Sequence, residues 1–199
     1  MIKVKNISHG FDKELFIDIN IDLKVGDSLA ITGRSGSGKS TLLHIMSSFL
    51  KPNKGIVIFD KKDIYKYSEL VRRKYFGIIF QDHFLLNGMT VKENLKISEN
   101  ISEKEIDNEL LKELGIYELI DKKVSELSGG QKQRVSIARV LVKKPLVIFG
   151  DEITANLDKE TRDEVLDMLF EYKRKNECIL ILVTHDDEVS NRCLRTLKI

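Results

Sequence analysis

The chain has 199 residues, 42% hydrophobic and 32% charged, with Lys+Arg 33 against Asp+Glu 31 and a formal net charge of +2. That is length for one substantial domain and the composition of a folded globular chain. The balance of charge argues against a nucleic-acid partner, no apolar stretch approaches the roughly 20 residues that span a bilayer, and two cysteines without metal spacing indicate a reduced setting.

The N-terminus, Met1-Ile2-Lys3-Val4-Lys5, lacks the long apolar core of a signal peptide, which predicts a cytoplasmic chain. Ile17, Ile19, Ile21 and Leu23 alternate with Asp18, Asn20 and Asp22, the period of a half-buried strand. Gly26-Asp27 then turns into an apolar run, Leu29-Ala30-Ile31. Next come Gly33-Arg34-Ser35-Gly36-Ser37-Gly38-Lys39-Ser40, and after them a helical pattern, Leu42-Leu43-His44-Ile45-Met46. The eight residues fit G-x-x-x-x-G-K-[ST], and a strand, a glycine-rich turn and a helix are the context a phosphate-binding loop needs. The glycines let the backbone curl so that successive N–H groups face phosphate oxygens, and the helix start adds partial positive charge. Lys39 is placed to reach the β- and γ-phosphates and Ser40 to give its hydroxyl to Mg²⁺, with Thr41 completing the nucleotide-binding set. A Gly/Ser-rich surface turn before a capped helix is the bland alternative, but it does not require every fixed position to be filled.

Pro52, Asn53 and Gly55 punctuate the chain, and 56–59 and 76–80 are short apolar runs expected as strands. Ser102-Glu103-Lys104-Glu105 fits a capping box and predicts a helix through Ile106, Leu110, Leu111 and Leu114, ended by Gly115. Residues from about 85 to 135 are expected to form a mostly helical insertion. A further helix follows Gly130, with Val135, Ala138 and Val142 on one side, Lys143-Lys144 suited to its C-terminal dipole, and Pro145 as its stop. Leu146-Val147-Ile148-Phe149 reads as a buried strand. Val165, Met168, Leu169 and Tyr172 read as an amphipathic helix face, and 179–183 as another buried strand. Cys178 and Cys193 are expected to pack rather than react.

Two further segments carry chemistry. The strand 146–149 delivers Gly150-Asp151-Glu152 to its carboxyl end, where parallel α/β sheets bind ligands. There Asp151 is suited to Mg²⁺ and Glu152 to orienting and deprotonating an attacking water; a solvated acidic turn would be the bland reading without the phosphate loop. Upstream, Ser128-Gly129-Gly130-Gln131 opens a helix with a hydroxyl, exposed N–H groups and a dipole end, a second anion-binding geometry. One nucleotide does not easily explain both helix starts, whereas a dimer does, if each chain's second site closes on its partner's nucleotide.

Leu127-Ser128-Gly129-Gly130-Gln131, with Lys132-Gln133-Arg134 after it, resembles the LSGGQ signature of ATP-binding cassette (ABC) ATPases. The resemblance covers nearly the whole chain and implies an α/β P-loop NTPase fold, an ABC-type nucleotide-binding domain with an antiparallel β subdomain and a helical insertion. It makes the chain a single domain, with 1–84 and 136–199 as the α/β core with its β subdomain and about 85–135 as the helical part. It also implies roles: Phe11 as the aromatic that stacks on adenine, and Gln81 as the glutamine that touches Mg²⁺ or water and senses the membrane partner. Ala155-Asn156-Leu157-Asp158 becomes the D-loop that crosses the dimer seam, and His185 the switch histidine on the γ-phosphate.

Phe80-Gln81-Asp82-His83-Phe84-Leu85-Leu86 with Met89-Thr90-Val91-Lys92-Glu93-Asn94, and Asp151-Glu152-Ile153-Thr154-Ala155-Asn156-Leu157-Asp158, resemble the lipoprotein-release, macrolide or antimicrobial-peptide export and FtsE-like group. The resemblance therefore implies an ATPase with ATP and Mg²⁺ as cofactors, an ATP-bound homodimer, and a separate membrane permease that holds the chain on the inner face of the membrane. Mechanotransmission without cargo is the nearest alternative; a soluble ABC protein on ribosomes or DNA ranks lower. Ile153 stands where the family usually has Pro, Gly150 where an aliphatic or Ala is usual, and Asn87 at a position often Pro; these departures are expected to loosen the loop after Glu152. The chain is also expected to lack the C-terminal extension usual in the group.

Overall fold

Backbone hydrogen bonding divides the chain between two sheets, traced in a computed structural model that describes residues 1–155 and 157–199. Strands β1 (Ile2–Gly10) and β2 (Glu14–Leu23) form an antiparallel hairpin. Strand β3 (Ser28–Thr32) leads through the glycine-rich loop into α1 (Lys39–Met46). Strands β4 (Lys54–Phe59) and β5 (Lys62–Asp63) complete a four-stranded sheet in the order β2-β1-β4-β5. Helix α2 (Glu69–Tyr75) precedes β6 (Phe76–Ile79); α3 (Val91–Ser102), α4 (Asn108–Glu113) and α5 (Gly129–Leu141) follow. Strand β7 (Val147–Asp151), α6 (Lys159–Asn176), β8 (Ile179–Val183), α7 (Asp187–Asn191) and β9 (Arg195–Lys198) close the chain. The second sheet is wholly parallel, in the order β6-β7-β8-β3-β9.

The apolar runs 147–149 and 179–183 show why that sheet lies at the centre. Val147, Phe149, Ile179, Ile181 and Val183 join one buried cluster with β1, β4 and α1. Their alternating neighbours Ile148, Leu180 and Leu182 join a second cluster with α3, α5 and α6. Period-two side chains thus feed two cores, which is what a parallel sheet covered on both faces requires.

The predicted strands are present, with one phase error. Ile19, Ile21 and Leu23 pair with Ile7, Val4 and Ile2. Ile17 is 61% exposed. Register shifts interrupt the β1–β2 ladder, with Asn6 (φ 50°) and Asp18 (φ 56°) in left-handed conformations. The Asn6 amide donates to Asp18 Oδ1 at 2.7 Å. A bulge of one residue sends every later side chain to the other face, so strict alternation fails there.

The capping box expected at Ser102 is not used. Ser102 ends α3, and its buried hydroxyl donates back to the Ser98 carbonyl at 3.0 Å. The N-cap of helix α4 lies five residues later, where Asp107 accepts from Glu109 N at 3.0 Å. Gly115 stops it as expected, at φ 63°. The capping boxes that form are at Thr90 with Glu93, and at Ser128 with Gln131. Buried Asn94 binds both the N–H and carbonyl of Leu86, which pins the segment between β6 and α3. Helix α5 runs across the expected boundary at 135, joining the helical segment to the parallel sheet without a break.

Candidate functional site

Register places four loops at one edge. Ile31 pairs with Val183, Asp151 with Val183, and Ile79 with Gly150. The residues after β3, β8, β7 and β6 therefore leave the parallel sheet side by side. These are Gly33 onward, Thr184-His185, Glu152, and Phe80-Gln81.

The phosphate loop is tightly built. Gly33 (φ 149°) allows close approach of the C-terminal backbone: a Cβ there would collide with the Ile199 carbonyl. Gly38 (φ 95°) lies under Phe16, whose ring would stand 3.0 Å from an added Cβ, so the β1–β2 hairpin packs onto the loop. Arg34, Ser35, Gly36 and Ser37 make the turn, with Ser37 N bonded to the Arg34 carbonyl at 3.2 Å. Ser37 Oγ is buried with no hydrogen-bond partner among the described residues. Lys39, 9% exposed, donates to the carbonyls of Gly33 at 3.1 Å and Arg34 at 2.9 Å. Helix α1 starts at Lys39 without a side-chain cap or an acidic residue in its first turn, which contains Ser40 and Thr41. Its first N–H groups and its dipole are therefore available to an anion.

Two side-chain pairs stand at the same edge. Ser40 Oγ donates to Asp151 Oδ1 at 2.9 Å, across 111 residues of sequence. His185 Nδ1 lies 2.9 Å from Glu152 Oε2. Glu152 is held at φ 49°, with its N–H on the Val183 carbonyl at 3.1 Å and its own carbonyl accepting from Ala155 N at 3.1 Å. A non-glycine residue in that region costs about 1–3 kcal/mol and persists only where the surroundings fix it. Ser40 and Asp151 are hard oxygen donors, a set that fits Mg²⁺ when nucleotide phosphates and water complete its shell. No group of three or more His, Cys, Asp or Glu side chains able to hold a metal occurs among the described residues, so the protein alone builds no full cage.

Phe11 sits at the tip of the β1–β2 hairpin, 71% exposed, with its ring edge-to-face with His9 at 5.0 Å. Gln81 is exposed beyond β6 and makes no side-chain hydrogen bond among the described residues, so it is brought to the edge but not into the cluster.

The signature residues form a separate unit. Ser128 Oγ accepts from Gln131 N at 3.3 Å, and Gln131 Oε1 accepts from Ser128 N at 3.0 Å. Gly129 and Gly130 open α5. A Cβ on Gly130 would stand 3.0 Å from Thr161 Cγ2, so α5 starts directly against α6. Asp158 caps α6 through Thr161 N at 3.0 Å and Thr161 Oγ1 at 2.7 Å, bonds that hold its carboxyl below the usual range. Asn156 of the expected D-loop lies outside the described residues. No hydrogen bond among the described residues joins 128–131 to the phosphate loop.

Several supporting residues were not foreseen in these roles. Gln133 donates to the Ile153 carbonyl at 2.8 Å, and Arg162 binds Asp186 at 2.7 Å and also Glu188, beside His185. Ser136 and Arg139 bind the His83 carbonyl at 3.3 and 3.1 Å, fixing the segment after Gln81 to α5. The departures at 150 and 153 do not loosen the loop: Ile153 is 5% exposed and its Cγ2 would stand 3.0 Å from a Cβ on Gly150. Burial pushes both Cys178 and Cys193 up to about 11, in keeping with packing roles.

The sequence pattern of the ABC transporter family matches residues 16–155. The lipoprotein-releasing system ATP-binding protein LolD of Rickettsia conorii is 38% identical over 207 aligned residues, covering 98% of this chain and 93% of that one. The bacitracin export ATP-binding protein BceA of Halalkalibacterium halodurans is 36% identical, covering 93% and 77%. Among solved structures, a dimeric ATP-binding cassette, MJ0796, in a post-hydrolysis state with ADP and Pi, superposes with a TM-score of 0.88 at 28% identity, covering 100% and 94%. Cassettes of this kind bind ATP, dimerise and work with membrane components, and no helix among the described residues is long and apolar enough to cross a membrane itself. These similarities are to ATP-hydrolysing transporter subunits, and the chain belongs to the ABC transporter family.

Proposed function

We propose that this chain is the ATPase subunit of an export- or release-type transporter, acting as an ATP-bound homodimer on a separate permease at the inner face of the membrane. It works as one domain, with 1–84 and 136–199 as the core and about 85–135 as the helical part. The observation that carries the reading is the pair of dyads at one sheet edge, Ser40 with Asp151 and Glu152 with His185, while the second anion-binding helix start stands apart.

Each ATP lies between one chain's phosphate loop and its partner's Ser128-Gly129-Gly130, in a two-fold symmetric interface. Phe11 stacks on adenine. Lys39 leaves its two loop carbonyls for the phosphates. When bound, Mg²⁺ would be held by Ser40, Asp151 and Gln81 and would supply charge neutralisation for the phosphates. Glu152 orients the attacking water and takes its proton, and His185, already paired with Glu152, holds the γ-phosphate. Loss of that phosphate removes contacts from both chains, so the dimer opens and does work on the permease. Asp158 lies at the seam.

An exposed aromatic cluster supports a docked membrane partner. Phe49 and Phe84 are 69% and 63% exposed, and both stack edge-to-face on Phe80, at 6.2 and 5.2 Å. Phe49 and Phe80 also line a groove of about 420 Å³ beside the segment that begins at Gln81. The relatives named for lipoprotein release and bacitracin export support an export or release cargo.

The test is Glu152→Gln. It retains ATP binding, nearly stops hydrolysis, and elutes as a dimer with ATP and Mg²⁺. Purified from native membranes in that state, it brings down a multi-span permease. Normal turnover sinks the base assignment; ribosomal or DNA-associated proteins in place of a permease sink the transporter reading.

A further inference from the structure

We infer that Gln133 is a positioning residue for hydrolysis: from within the signature helix it holds the peptide that follows Glu152, and so fixes the direction of the Glu152 carboxylate. The inference rests on Glu152 being the group that activates water.

Gln133 is 1% exposed, on α5, two residues beyond the capping box of Ser128 and Gln131. A polar side chain this deep is retained only with a partner. Its amide Nε2 donates to the Ile153 carbonyl at 2.8 Å, in a fully buried bond. Ile153 directly follows Glu152, whose backbone is left-handed at φ 49°. Such a conformation relaxes unless its flanking peptides are tied down. On one side, Glu152 N is tied to the Val183 carbonyl of the neighbouring strand. On the other side Ile153 packs against Gly150 and Leu182, and Gln133 anchors its carbonyl. Among these ties, Gln133 is the one that comes from another element's side chain across 20 residues of sequence.

The position of α5 gives this bond a second consequence. The same helix starts with Ser128-Gly129-Gly130, the residues assigned to the partner chain's nucleotide, and Arg139 and Ser136 tie it to the His83 carbonyl near Gln81. Gln133 therefore carries a displacement of α5, from either origin, to the peptide beside Glu152. No hydrogen bond among the described residues joins it to the phosphate loop, so its effect falls on turnover and not on ATP affinity.

The experiment compares Gln133→Met, which keeps the length and loses the donor, with wild type and with Glu152→Gln. The expected result is a fall in kcat of up to about 10²-fold, the scale of a misplacement of about 1 Å in a reacting group, with KM for ATP unchanged. In the Glu152→Gln background, Gln133→Met leaves the ATP-dependent dimer intact by size-exclusion chromatography. If Gln133→Met does not fold, Gln133→Asn serves, because its shorter amide falls short of the Ile153 carbonyl. Unchanged kcat overturns the inference, as does a parallel loss of dimerisation and of ATP affinity, which would make the bond merely structural. Undiminished turnover in Glu152→Gln would instead overturn the base reading on which the inference stands.

Discussion

Gly150 precedes Asp151 on a strand whose neighbours are full-sized. A Cβ on residue 150 would stand 2.7 Å from Leu182 Cδ2 and 3.0 Å from Ile153 Cγ2. Both neighbours are buried, at 1% and 5% exposure, so neither side chain has solvent to move into. Gly150→Ala therefore overpacks the core behind the acidic strand end. Overpacking of this kind costs about 1–3 kcal/mol, which in a chain of this length lowers the melting midpoint by roughly 2–12 °C. Ile153→Ala alone opens a cavity and costs about 2–5 kcal/mol. Together the two changes exchange volume: the added methyl enters space that Ile153 gives up. The double variant should be less destabilised than the sum of the single ones by about 1 kcal/mol. Urea unfolding of the four proteins measures the coupling, and steady-state ATPase assays report whether Asp151 and Glu152 have shifted. Additivity within about 0.5 kcal/mol would refute the claim that the two positions form one packed pair.

Phe11→Ala should weaken ATP binding by about 1–3 kcal/mol, the worth of one base–aromatic stack, with kcat at saturating ATP preserved; calorimetric titration that finds an unchanged affinity removes Phe11 from the adenine site. Burial, then the nearby Arg139 and Arg73, depress Lys143 to about 8 from an ordinary 10.5. The unfolded chain thus holds more protons between those values, so stability should rise with pH from about 8 to 10.5 and lose this contribution as pH falls through 8. Lys143→Met should flatten that rise in urea midpoints measured across the window. Chelation of Mg²⁺ should abolish hydrolysis, and Ser40→Ala should raise the Mg²⁺ concentration needed for half-maximal rate; an unaltered Mg²⁺ titration would exclude Ser40 as a ligand.

Much of this site was legible because its parts are local. The phosphate loop, the acidic strand end and the signature helix each occupy consecutive residues, and apolar runs on both sides mark strand and helix. What pattern reading missed depends on the third dimension. Ser102 through Glu105 satisfies the spacing of a capping box, yet the buried Ser102 hydroxyl spends its proton on the turn behind it. Thr90-Val91-Lys92-Glu93 has the same spacing and does form the box, so the local pattern alone could not choose between them. Ile17 follows the alternation of its strand but not its face, because Asn6 and Asp18 lock a bulge by pairing across the hairpin. Gly150 and Ile153 looked like two separate weaknesses, and only their contact shows that they fit each other.

The contacts of α5 and α6 link the two candidate half-sites of one chain. Helix α5 meets α6 where Gly130 lies on Thr161 and Arg134 pairs with Glu164. Helix α6 in turn holds the segment beyond His185, through Arg162 on Asp186 and Glu188. Asp186 N is itself bonded to Thr184 Oγ1 at 3.0 Å, directly before His185. In the proposed dimer, a partner nucleotide on Ser128 would meet a frame that ends at both members of the Glu152–His185 pair, one through Gln133 and the other through Arg162. Ion pairs with exposed partners contribute little to stability, but Arg162 is only 16% exposed and makes three at once. Its role is therefore geometric more than energetic: it ties α6 to the segment just beyond His185.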